Sequence, residues 1–267
     1  MRILNSYTTI RHDSDFFSVP IMTHPPFLTH GDERETRWLI TCDHATNTVP
    51  PAVNNGTLGL PLSDMERHIA YDIGAAGVSR HLADLLHGSA VMANFSRLVI
   101  DPNRGEHDPT LLMRIYDGSV IPGNRNAEAP EKERRLDMLH RPYHAKIGDM
   151  AARRDDTVIV AIHSFTPKLR GRPFRPWEVA VLHSKDRRYS DPVLHRLLQE
   201  SDLTVGDDQP YLGDLPGDAI DRHGYAHGRP HVLIEIRNDL IMDDNGQTEW
   251  AERLAPVLQD ALVTAGL

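Results

Sequence analysis

Residues 157–165, TVIVAIHSF, decide the fold. The run is apolar and mostly β-branched, shows no alternation, and ends on His163-Ser164-Phe165. A short apolar run without a period of two reads as a strand covered on both faces. Outward from it, RWLITC (37–42), SAVMANF (89–95), RLVID (97–101), EVAVLHS (178–184) and HVLIEIRNDLI (231–241) are strand-like, and LTVGDDQPY (203–211) reads as strand and turn. Helical patterns lie between them. Residues 63–87 carry an apolar stripe behind a Ser63/Glu66 capping box, with Gly88 as a stop. Residues 131–155 read as a helix broken at Pro142, 191–201 as a helix, and 246–267 as the closing helix. Strands alternating with helices predict an α/β fold: a single three-layer domain whose central mixed, mostly parallel sheet is flanked by helices. Residues 1–35 read as an irregular segment and 36–267 as the catalytic domain, with no internal repeat.

Composition narrows the function. With 267 residues, 40% hydrophobic and 25% charged, the chain has the make-up of a globular protein, and a chain of this size buries roughly 70–75% of its unfolded surface. The single cysteine, Cys42, excludes an internal disulfide and fits a reducing, cytoplasmic setting. The opening MRILNSYTTIRHDSDFF has polar residues where a secretory leader needs an apolar segment, and no run has the length of a membrane span. A net charge of −9 argues against a nucleic-acid partner. Basic clusters such as KLRGRPFR (168–175) leave room for a small anionic substrate.

In sheets of this kind, ligands bind beyond the carboxyl ends of the strands. That rule gathers Asp43 and His44, Arg97 and Asp101, His163, and Glu235 with Arg237 into one candidate site. Two histidines and a carboxylate, with a position left for water, form the ligand set of a hydrolytic zinc site. A further carboxylate would then take the water's proton and pass it to the leaving amine. His44 and His163 are the first two ligands; Glu66, His68 and Asp72 compete to be the third; Glu235 is the proton shuttle. Plainer readings stand beside these. Asp72 could pair with His68 or Arg80 on a helix surface, Glu235 with Arg237, and Asp101 with Arg104.

The segments CDHATNTVP, HIAYDIGA, SRLVIDPNR, IPGN, RPYH, HSFTP, RPWEVAVLHS, GDDQPY and IEIRNDLI occur in this order between about residues 37 and 255. Together they resemble the N-formylglutamate amidohydrolase family, in its predicted-amidohydrolase branch. The family is similar in fold to zinc-dependent exopeptidases and N-acetylmuramoyl-alanine amidases, and its enzymes hydrolyse N-formyl-glutamate in histidine degradation. The resemblance implies zinc, or another divalent metal, held by His44, Asp72 and His163, with His68 as the alternative to Asp72. It implies Glu235 as the catalytic base, and Arg97, Asp101, Asn103 and Arg104 either at the substrate carboxylate or supporting the ligand residues, with Arg237 a further candidate for the carboxylate. Arginine suits that task because its planar fork meets a carboxylate in two parallel hydrogen bonds. Phe165, Trp177 and the KLRGRP loop would cover the mouth, and Asp43 would orient a neighbour. Characterised members carry a Pro-His-Ser-Gly type first motif, whereas here it is Asp43-His44-Ala45-Thr46-Asn47. That departure bears on the acyl-amino-acid substrate rather than on the metal chemistry.

The expected activity is hydrolysis of a linear amide in an N-acyl amino acid. Two alternatives share the fold: a zinc hydrolase of other N-acyl amino acids or peptide amides, and a non-catalytic protein binding small carboxylates. A binding protein would tolerate loss of Glu235 or of a histidine ligand, yet all are present.

Overall fold

The structure, a computed structural model, describes residues 24–267. Of the expected irregular segment 1–35, residues 1–23 lie outside the described residues; the remainder includes a short strand, β1 (Phe27–His30). The main sheet continues with β2 (Trp38–Cys42) and β3 (Ser89–Ala93). A two-stranded ribbon, β4 (Ile115–Tyr116) and β5 (Ser119–Val120), stands apart from it. The sheet is completed by β6 (Val158–Phe165), β7 (Val179–Leu182), β8 (Val205–Asp207) and β9 (His231–Arg237). Its order is β1-β3-β2-β6-β9-β7-β8. The run β3-β2-β6-β9 is parallel, while β1 and β7 are antiparallel to their neighbours β3 and β9. The sheet is therefore mixed and mostly parallel, as its unalternating strands imply.

Both faces are covered. Val158, Val160 and Ile162 of β6 and Val232, Ile234 and Ile236 of β9 pack into one core with α2 (Ala75–Leu85), α5 (Ser190–Leu197) and α7 (Asp244–Thr264). Ile159, Ala161 and Leu233 face the other core, built on α4 (Arg141–Ala151). The same alternation carries His163 and Glu235 onto this second face, where the strands run out of apolar residues. The polar residues thus sit at the carboxyl ends of the parallel strands. Among the described residues, no helix is long and apolar enough to cross a membrane.

Three elements differ from the sequence reading. The helix expected over 63–87 is two helices, α1 (Leu62–Met65) and α2, with a turn segment between them. Ser63 lies inside α1 and makes no cap; Pro61 occupies that position. The Asp72 N–H donates to the His44 carbonyl at 2.9 Å, and Gly74 takes a left-handed φ of 82° against Ile241. Tertiary contacts override the local helical pattern, so His68 and Asp72 are not one helical turn apart. The RLVID segment is a turn, not a strand: Val99 bonds back to Ser96 at 2.9 Å, and Leu98, Val99 and Ile100 are fully buried. An apolar run without a period serves a buried turn as well as a strand. The helical region around Pro142 divides into α3 (Ala129–Arg135), a wide turn over Leu136–His140, and α4. Pro142 lacks the N–H that would bond the Met138 carbonyl, so the widening falls just before it. The fold is completed by α6 (Ala219–His223), whose N-terminus Asp218 caps through the Asp221 N–H at 2.7 Å.

A Cβ at residue 74 would overlap the Ile241 carbonyl in a conformation that side chains rarely adopt. Gly74→Ala is therefore expected to lower unfolding free energy by about 2 kcal/mol or more, read as a shift in urea midpoint.

Candidate metal centre

β2 ends at Cys42, and the next two residues, Asp43 and His44, are 0% and 1% exposed. His163 lies two residues before the end of β6, beside Glu235 of β9 in register. Asp72 arrives from the turn before α2. These three elements bring His44, Asp72 and His163 together, with one ligating atom from each within 4.8 Å of the others. The His44 and His163 Nδ1 atoms lie 3.3 and 2.9 Å from the same oxygen, Asp72 Oδ2, which also accepts the Ser164 N–H at 3.2 Å.

The far nitrogens are held as well. His44 Nε2 is 2.7 Å from Asp101 Oδ1, and His163 Nε2 is 3.1 Å from Asp43 Oδ2. Asp43 in turn accepts the Tyr143 hydroxyl at 2.8 Å, and Asp101 accepts Arg97 Nη2 at 2.9 Å. A metal-binding histidine ordinarily offers one nitrogen to the ion and the other N–H to a carboxylate, which fixes the ring. Both histidines here are arranged in that way. Three buried carboxylates outnumber the cationic groups paired with them, Arg97 and a His163 whose pKa is raised, and leave local negative charge for a cation to neutralise. The residues present fit a divalent metal.

The titration of the cluster follows its packing. Burial pushes Asp72 upward, but the charges and hydrogen bonds of His44 and His163 outweigh it and hold the carboxyl far down. Asp101 is likewise held well down, because Arg97 and His44 overcome the cost of its burial. Burial disfavours a charged His163, yet its hydrogen bonds to Asp43 and Asp72 lift its pKa well above the ordinary value. Glu235 behaves differently. Burial, with help from Asp72, raises it to about 7 against the pull of His163, and its Oε2 has no hydrogen-bond partner.

The other expected site residues fall in several places. Arg97, Asn103 and Arg104 line the pocket above the cluster, as do Phe165 and Tyr211. Asp101 is committed to His44 and Arg97 and is not free to meet substrate. Arg97 also lies 3.4 Å from Asp72, whereas Arg104 has no carboxylate partner among the described residues. His68 lines the pocket beside Asp117, 3.5 Å away, and is not part of the triad. Its burial lowers its pKa to about 4. Arg237 is a correction: it lies outside the pocket, bonded to Asp239 at 2.8 Å, near Glu178, with its guanidinium over the Phe174 ring. By alternation it continues the Glu235 face, but the chain beyond β9 supplies its own carboxylate. Trp177 is not in the lining either, and in the KLRGRP loop the Arg170 N–H bonds Asp117. Tyr143 and Asp218 were not singled out by the sequence reading. Tyr143 lies within the RPYH segment, and Asp218 bears only the signal of a helix cap.

The chain belongs to the N-formylglutamate amidohydrolase family, whose sequence profile matches residues 36–242. No curated protein matches it in sequence. Among solved structures it is similar to the gene product Atu2144 from Agrobacterium tumefaciens, at 33% identity and a TM-score of 0.85 over 92% of this chain and 98% of that one. It shares its fold with an N-formylglutamate amidohydrolase from Ralstonia eutropha JMP134, at 20% identity and a TM-score of 0.57 over 90% and 97% of the two chains.

Because hydrogen bonds to Asp43 and Asp72 raise the His163 pKa and a ligating imidazole nitrogen must be unprotonated, capture of a cation is expected to release a proton. Zinc titration by calorimetry near pH 7, in buffers of different ionisation enthalpy, is expected to show proton release. The apparent affinity should fall as pH is lowered; a pH-independent affinity with no proton released would contradict the ligand set.

Proposed function

We propose that the protein is a metal-dependent amidohydrolase that cleaves a linear amide in an N-acyl amino acid of the N-formyl-glutamate type. The observation that carries this reading is the pairing of a His44–Asp72–His163 triad with an unpartnered Glu235 in one pocket. Family membership supports the reaction class.

His44, Asp72 and His163 would hold zinc or another divalent ion. Such an ion, when bound, acts as a Lewis acid that acidifies water and polarises a carbonyl. Asp101 and Asp43 fix the two imidazole rings so that neither turns away. Glu235, poised near neutrality by its burial, takes the proton of the attacking water. Its lack of a protein partner suits the role, since a carboxylate tied to arginine would be a poorer base. Arg104 is the cation best placed to receive the substrate's carboxylate, because Arg97 is already occupied by Asp101 and Asp72. Burial of Leu233 and Phe165 along the lining gives the acyl group an apolar wall that excludes water.

Glu235→Gln is expected to bind metal at native stoichiometry and to lose about 10²- to 10⁴-fold in kcat. Retained turnover would remove Glu235 from the reaction. Arg104→Ala should raise KM about tenfold or more for substrates bearing a free carboxylate; the same KM in both proteins would place the anchor elsewhere. A panel of N-formyl, N-acetyl and N-carbamoyl amino acids, assayed with zinc present, tests the reaction itself. Metal binding without turnover on any member would favour a carboxylate-binding protein instead.

A further inference from the structure

Among the described residues, two buried carboxyl oxygens lack any hydrogen-bond partner: Glu235 Oε2 and Asp218 Oδ2. Both residues line the same pocket. Leaving such an oxygen unpaired costs on the order of 1–3 kcal/mol, so an unpaired buried carboxyl in a cleft calls for an explanation. Glu235 already has a role in the proposed reaction. Asp218 does not.

The place of Asp218 is specific. It is 1% exposed, and its Oδ1 is spent on the Asp221 N–H at the start of α6. The Asn103 side chain accepts the N–H of the next residue, Ala219, at 3.3 Å, which ties this corner to the loop carrying Arg104. The cap fixes one oxygen and leaves the other, in a residue that lines the pocket, without a protein partner. Helix capping alone would not require burial, because a cap works equally well at a surface.

We propose that Asp218 is a second catalytic carboxyl, the proton donor to the departing amine. The inference rests on the reaction proposed above. In that reaction Glu235 takes one proton from water as the water oxygen bonds to the acyl carbon. When the C–N bond breaks, its electron pair stays on nitrogen, and Asp218 Oδ2 supplies the proton that makes a neutral amine. The proton on Glu235 returns to Asp218 through solvent before the next turnover, so protons balance over the cycle. The surroundings favour the acid form that this step needs. Burial raises the Asp218 pKa to about 7, with Asp43 and Asp221 adding to the rise, against the Asp221 N–H and the charge of His163. Two carboxyl groups in one site then divide base and acid between them.

The dependence on the leaving group tests this directly. An amide must be protonated at nitrogen to leave, whereas an ester with a phenol leaving group departs without help. The native protein, Asp218→Asn and Glu235→Gln are compared, with zinc loaded, on an N-acyl amino acid and on an aryl ester in which the same acyl group is carried by a carboxyphenol, so that a phenol replaces the amine as leaving group. Circular dichroism and metal content verify folding. Asp218→Asn is expected to reduce kcat on the amide about 100-fold or more, with KM changed less than about threefold. Its ester-to-amide rate ratio should rise by at least about thirtyfold, while Glu235→Gln loses both activities. Equal losses on amide and ester, or a change confined to KM, would overturn the proton-donor role. An amide rate like that of the native protein would overturn it too. Inactivity of the native protein on both substrates would overturn the proposed reaction, and this inference with it.

Discussion

One carboxylate oxygen organises the site. Asp72 Oδ2 faces the Nδ1 atoms of two histidines, one just past the end of β2 and one within β6, and accepts the Ser164 N–H. A buried charge of this kind is costly unless every neighbour is arranged to meet it. The arrangement propagates outward: each ring is clamped at its far nitrogen by Asp101 or Asp43, and each clamp is held by Arg97 or Tyr143. The backbone gives way to this demand. The segment before α2 abandons a helical pattern, bonds to the His44 carbonyl, and turns on Gly74 to deliver Asp72 to that point.

The sheet supplies the rest. Strands β2, β6 and β9 run parallel and adjacent, so their carboxyl ends open on one side of the molecule. Along β6 and β9 the face that is apolar at Ile159, Ala161 and Leu233 becomes polar at His163 and Glu235. The opposite face stays apolar to Ile236 and locks the strands against α2, α5 and α7. A rigid, fully buried strand thus places a ligand more firmly than a loop would, which is what a hydrolytic site needs for geometry.

The fold was legible because buried parallel strands leave an unmistakable trace. TVIVAIHSF and RWLITC are short apolar runs, and their polar ends at His163 and at Asp43-His44 point to a site. Glu235 could be read in the same way, as a carboxylate inside an apolar strand. What sequence could not convey was tertiary. Asp72 looks like one position on a long helix, and only its bond to His44 shows why that helix breaks. Asp101 reads equally as a substrate contact or as support for a ligand until its carboxylate is found on His44. Arg237 shares the Glu235 period, but Asp239, two residues on, draws it away. Asp218 carries no pattern beyond a helix cap, because its meaning lies in the oxygen left without a partner.

The central claim is that this constellation is a metal site. A crystal of zinc-loaded protein, measured on either side of the zinc absorption edge, tests it most directly. The account predicts an anomalous peak ligated by His44, Asp72 and His163, with Asp43 and Asp101 still bonded to the two rings. A zinc-loaded crystal with no peak there, or with the ion held by other residues, would contradict it.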